Sequence, residues 1–163
     1  MNIEYVFGET HLGVGGYIEM WNYKIASLYT LNSNAPVINY LVFDSNTYSG
    51  ALHVKCLIYA NDGGVPGQLL YQTVEVNPVV VGWNIAPFVA PVSLIAGSYW
   101  LGVIHDEMIN IGATGMTNGS YYNSDTYSNG PTDPFGSGSW MTWRIAIYAA
   151  KMVSNKGNVM IIT

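Results

Sequence analysis

Charge is scarce in this chain. Of its 163 residues only 9% are Asp, Glu, Lys or Arg, against about a quarter in ordinary soluble domains. Five are basic and ten acidic, for a formal net charge of -5. So thin a basic complement excludes ordinary nucleic-acid binding, which needs a positive footprint for phosphates. Cysteine is reduced to a single residue, Cys56, so no intramolecular disulfide can form. No apolar run reaches the roughly 18 residues of a membrane-spanning helix, so no membrane insertion is expected. The N-terminus, MNIEYVFGETHLG, lacks a basic start followed by an apolar stretch, and no secretory signal is expected. Helical periodicity is missing too. Gly, Pro or Asn interrupts nearly every window before three turns can form.

What remains is apolar and aromatic. Half of the residues are hydrophobic, with 13 Tyr, 15 Asn and 18 Gly. That composition can bury a core, so the chain is not disordered, and its length suits one domain. Strand signals recur at Ile3–Phe7, Tyr23–Leu31, Val37–Phe43, Leu52–Ala60, Leu69–Val76, Trp83–Phe88, Ser98–His105, Met108–Ala113, Trp143–Ala149 and Val159–Ile162. Turn clusters such as NSNAP, DSNTYSG and NDGGVPG separate them. Many short strands at this spacing predict an all-β fold, an antiparallel two-sheet β-sandwich of jelly-roll type. Residues 1–150 form the module and 151–163 a tail with a terminal strand.

Alternation assigns the faces. Leu52, Val54, Cys56 and Ile58 point one way, and His53, Lys55 and Tyr59 the other. Trp143, Ile145 and Ile147 likewise alternate with Thr142, Arg144 and Tyr148. One face is apolar and one mixed, as in a sheet with one solvated side. Cys56 reads as a small core residue, and Trp143 as core. Asp62-Gly63-Gly64 supplies the positive φ angles of a tight connection.

Residues 57–103 carry a distinctive order of features: LIYANDGGVPGQLLYQTVEVNPVVVGWNIAPFVAPVSLIAGSYWLGV. A strand ending in IYA is followed by an acidic-Gly turn, PG-x-LL, GWN, and AG-x-YWLGV. This resembles a family of β-sandwich modules found in bacterial and archaeal surface proteins and in some phage proteins. The likeness extends more weakly from Tyr5 to Ala149, where Trp143 to Tyr148 resembles the module's closing strand. The resemblance implies a carbohydrate-binding-like jelly roll without enzymatic activity. It supplies no site residues.

Catalytic patterns are thin. His105-Asp106-Glu107 is the densest polar cluster, but consecutive strand residues face opposite ways and should not converge. The three His and one Cys have no zinc spacing, and no G-x-S-x-G, Walker loop or H-E-x-x-H occurs. Paired carboxylates leave glycoside hydrolysis as a distant third reading. No enzyme is expected.

The stretch from Gly112 to Ser139 is different in kind. It reads as a long loop, broken by a short strand near Ser120–Asn123, and such loops are often functional. Tyr121, Tyr122, Tyr127 and Trp140 offer flat faces to sugar rings. Asn123, Asp125 and Asn129 offer hydrogen bonds to hydroxyls. The plainer alternative is that these rings cover the sheet and fix the loop. Asp125 and Asp133, among oxygen donors, make a weak candidate for a structural calcium; no other cofactor is implied. Two functions follow. The first is a surface recognition or adhesion module facing glycans, at the extracellular surface. The second is a structural virion protein, such as a capsid decoration or tail-fibre subunit. It would assemble through its own subunits, with Val159–Ile162 pairing in its own sheet or with a neighbour.

Overall fold

The structure is a computed structural model that describes residues 2–11, 16–20, 22–47 and 51–153. The expected strand Val159–Ile162 lies outside the described residues. Eleven strands follow one another: β1 (Asn2–Gly8), β2 (Gly16–Met20), β3 (Tyr23–Leu31), β4 (Ala35–Ser45), β5 (Val54–Asp62), β6 (Val65–Gln72), β7 (Gly82–Leu94), β8 (Gly97–His105), β9 (Ile109–Ser124), β10 (Ser139–Ile145) and β11 (Ile147–Val153). A 3₁₀ turn, Tyr127–Asn129, lies between β9 and β10. Among the described residues no helix is long and apolar enough to cross a membrane.

Among the described residues every pairing is antiparallel and no α-helix occurs, so the fold is all-β. Hydrogen bonds connect the strands in one path, β1-β11-β4-β9-β3-β8-β5-β6, with β2 and β10 on β9 and β7 on β4. The path curls so that its halves share one core. Phe7, Phe43, Ala86 and Ile147 from the β1-β11-β4-β7 side cluster with Ile25, Cys56, Ile58 and Leu101 from the β3-β8-β5 side. Phe7 meets Tyr99 edge-on at 6.2 Å across this core. Each fully buried side chain of this size contributes about 1.5–3 kcal/mol.

The β5 alternation holds on its inner face: Leu52, Val54, Cys56 and Ile58 are all fully buried. Burial pushes the Cys56 thiol above its ordinary range. A thiol reagent should therefore label the native protein only as fast as it unfolds. Rapid labelling of the folded protein would overturn this register. Gly63 and Gly64 take φ of +60° and +95° in the β5–β6 turn.

Three differences from the sequence reading matter for the site. First, the outer face of β5 and β8 is not solvated. Leu57, Tyr59, Trp100 and Ile104 form a second buried cluster there, sealed by Phe135 from the loop. Second, the expected 112–139 loop is largely strand. β9 runs to Ser124, and only 125–138 is irregular. Within β9, Gly112 and Gly119 mark close approaches between strands. A Cβ on Gly119 would lie 2.5 Å from the carbonyl carbon of Trp143. The register against β10 changes between Trp143↔Gly115 and Met141↔Ser120, and the intervening Met116, Thr117 and Asn118 bulge into solvent. Third, the closing strand is two strands, broken at Ala146. There the chain leaves β9 for β4 and β1. β2, which pairs with the start of β9, was not expected at all.

Candidate functional site

The segment 125–138 folds over the outer face of β3, β8 and β5. On β3, Lys24, Ala26 and Leu28 alternate with the inward Ile25, Ser27 and Tyr29, which places Lys24 beneath the loop. Its side chain is fully buried. Lys24 Nζ donates to Asp125 Oδ2 at 2.7 Å and contacts Thr132 Oγ1. The Phe135 ring lies 4.4 Å from Nζ. Burial lowers the Lys24 pKa, against the opposing pull of Asp125. Burial raises the Asp125 carboxyl, but hydrogen bonds from Lys24 and Thr132 outweigh it and leave the group below its ordinary value. Further anchors hold the loop to β5 and β6. Tyr59 Oη donates to the Thr132 carbonyl at 3.0 Å, Phe135 N–H to Gly67 O at 2.9 Å, and Leu69 N–H to Asp133 Oδ1 at 2.9 Å.

This geometry divides the expected contact residues. Tyr121 and Tyr122 are consecutive on β9 and face opposite ways. Tyr121 packs on the outer cluster among Trp100, Phe135 and Trp140, and its hydroxyl accepts from Gly138 N–H at 2.8 Å. Tyr127 packs on the same cluster. Its hydroxyl donates to Glu75 Oε2 at 2.7 Å, and Lys55 Nζ lies 5.3 Å from its ring. These two rings serve the cover. Trp140, the cross-strand partner of Tyr121, is 43% exposed and rests against Trp100 and Tyr121 at 5.8 and 5.2 Å. Asn129 is exposed on the 3₁₀ turn.

Tyr122 lies elsewhere, edge-on to Tyr23 at 5.5 Å. Both rings line an open groove of 390 Å³ with Asn123, Ser124, Ser137, Gly138 and Ser139. A neighbouring concavity continues along Asn22, Tyr23, Ser124, Asp125 and Thr126. Asn123 Nδ2 donates to the carbonyls of Phe135 and Ser137 at 2.7 and 3.3 Å, tying the groove wall to the loop. Among the described residues no charged side chain other than Asp125 lines either concavity, and Asp125 is turned toward Lys24.

Asp125 and Asp133 hold different partners. Asp125 Oδ1 accepts from Thr126 N–H and Oδ2 from Lys24 and Thr132, while Asp133 reaches Leu69. The Lys24 ammonium already supplies positive charge at Asp125, so an ion there would have to displace it. Among the described residues no three His, Cys, Asp or Glu side chains converge as a metal site.

The His105-Asp106-Glu107 cluster disperses. His105 is buried, its Nδ1 donates to the Glu107 carbonyl at 2.7 Å, and burial lowers its pKa. Asp106 turns outward to His53, with Oδ2 2.6 Å from Nδ1. That hydrogen bond holds the His53 pKa above its ordinary value, and Glu75 lies 3.9 Å from Nε2. Because the folded value is raised, the stabilisation is complete below the unfolded value of about 6.5 and fades as pH climbs through the folded one. The melting-temperature gap between the wild type and His53→Asn should therefore be widest below about pH 6.5 and narrow as pH rises. A gap that widens with rising pH would show the sign to be wrong.

Sequence reasoning missed Lys24, Tyr23 and Phe135. Lys24 had a signal, since a lone cation in the otherwise apolar run YKIASLYTL needs a buried partner. The partner itself lies 101 residues away and had none. No protein-family model matches the chain, and no curated protein matches it.

Proposed function

We propose that this protein is a non-catalytic surface recognition module, a jelly-roll β-sandwich of the surface-protein kind that its 57–103 segment resembles, and that it faces glycans. Trp140 carries the reading. A large ring that is exposed yet wedged between two others is a rigid anchor whose ordering cost is already met before a ligand arrives. The Tyr23–Tyr122 groove supports it with hydroxyl and amide groups suited to a neutral polyhydroxyl ligand. The proposed contacts are Trp140 on the outer face and, in the separate groove shared with Tyr23 on the other side of β9, Tyr122 and Asn123. Tyr121 and Tyr127 act by holding the surface in place. No metal and no cofactor take part. The site works outside the cell, on a cell surface or a virion.

The test is a glycan array followed by Tyr122→Ala and Trp140→Ala. Each should weaken binding by about 1 kcal/mol or more where the ring is a hot spot, with little response to salt because few charges are involved. Binding that survives both changes removes the ligand from these rings.

A second reading, a virion structural subunit acting through assembly, is favoured by one observation. Among the described residues no loop lies over the outer face of β1, β11, β4 and β7. Ile3, Tyr40, Val42 and Trp83 cluster there, with Tyr5 50% and Met152 53% exposed. A symmetric oligomer in solution that binds no glycan would make this the function.

A further inference from the structure

The geometry points to a covalent modification site: a spontaneous amide bond between Lys24 Nζ and the side-chain carboxyl carbon of Asp125, formed with loss of one water. The inference stands apart from the glycan reading and needs no ligand.

The reactants are placed and desolvated. Nζ is 2.7 Å from Oδ2, with the Lys24 side chain fully buried and that of Asp125 only 6% exposed. Phe135 and Tyr59, packed edge-to-face at 5.0 Å, wall the site. The ammonium lies 4.4 Å from one ring and 5.9 Å from the other. An amine confined in an apolar pocket is driven toward its neutral, nucleophilic form. The carboxyl is held still by N–H donors on both oxygens, Thr126 on Oδ1 and Thr132 on Oδ2, each at 2.9 Å. Donors fixed in this way also receive the negative charge that develops when a carboxyl carbon is attacked. Holding both groups together removes the entropic barrier of bringing them into contact.

The step balances without an oxidant or co-reactant. A proton passes from the ammonium to Oδ2 along the existing hydrogen bond, leaving an amine and a carboxylic acid. The nitrogen lone pair attacks the carboxyl carbon, and the charge moves to Oδ1 beside the Thr126 N–H. The nitrogen then gives a second proton to Oδ2 through the Thr132 hydroxyl, which touches both groups. The C–Oδ2 bond breaks, water leaves, and a C–N bond remains. The driving force is the removal of two buried charges, since an ion pair in the interior recovers its desolvation cost poorly. The product fastens the loop cover to β3 in a chain whose lone cysteine cannot form an internal cross-link.

The experiment is intact mass of the full chain, denatured after its folding has been verified by a cooperative melt. The expected mass is one water below that of the sequence. Digestion should give a branched peptide joining Lys24 to Asp125. Lys24→Arg and Asp125→Ala should restore the full mass, and Asp125→Asn should lose one ammonia instead. A folded wild-type protein at full mass overturns the inference. So does a missing water that maps elsewhere, such as a succinimide at Asp62-Gly63, or one that persists in Asp125→Ala.

Discussion

Phe135→Ala is expected to destabilise the protein by about 3–5 kcal/mol, the usual cost of deleting a buried aromatic ring. The ring is wholly buried and belongs to the loop, not to the sheet it covers. It contacts Tyr59 at 5.0 Å and Tyr121 at 5.8 Å and closes the pocket of Lys24. Its loss should free the cover while the inner core stays packed. Urea unfolding reads the energy, and hydrogen exchange across 125–138 should rise before that of β5 or β8. Asn129→Ala, at an exposed position of the same loop, should stay within about 0.5 kcal/mol. Equal effects from the two would mean that the ring does not anchor the loop.

The second large effect is expected at Gly102, in the Tyr99-Trp100-Leu101-Gly102-Val103 segment of β8. A Cβ there would lie 2.4 Å from the Ile25 carbonyl oxygen and 2.7 Å from the Ala26 Cβ. Neither neighbour can swing aside, because both belong to β3, which pairs with β8 along its whole length. Gly102→Val should cost about 3 kcal/mol or more through overpacking. Gly97→Ala on the same strand meets only ordinary contacts with Tyr99, and it should cost less than about 1 kcal/mol. A thermal melt of the two variants side by side decides the point. Near-identical melting temperatures would show that the β3–β8 approach is looser than described.

Much of the sheet was legible because strand alternation is local. Tyr23–Leu31 was read with its observed bounds, and the Leu52-Val54-Cys56-Ile58 face from four alternate residues. The cover was not legible, because it depends on which residues meet across a hundred positions. Tyr59 looked like a solvated strand residue until Phe135 was laid upon it. The sequence reading ended this strand at Ala113 and placed Gly115 and Gly119 in the loop, whereas both lie within β9. The reason for Gly119, a backbone pressed against it, lies in β10. Of the proposed contact rings, spacing alone could not separate Tyr121 from Tyr122, although strand geometry sends them to different sides.

The pairing of β1 with β11 fixes when this protein can fold. The first described strand hydrogen-bonds the last, with Asn2 opposite Val153, so a nascent chain holds β1 without this partner until β11 has been made. Tyr29 must likewise wait for the carbonyl of Ile145. Such long-range closure is slow and leaves strand edges exposed meanwhile. On the ribosome, the apolar N-terminal strands are the part of the chain that will need sheltering, and a truncated product ending before Ile147 would present β1 as an open template for aggregation.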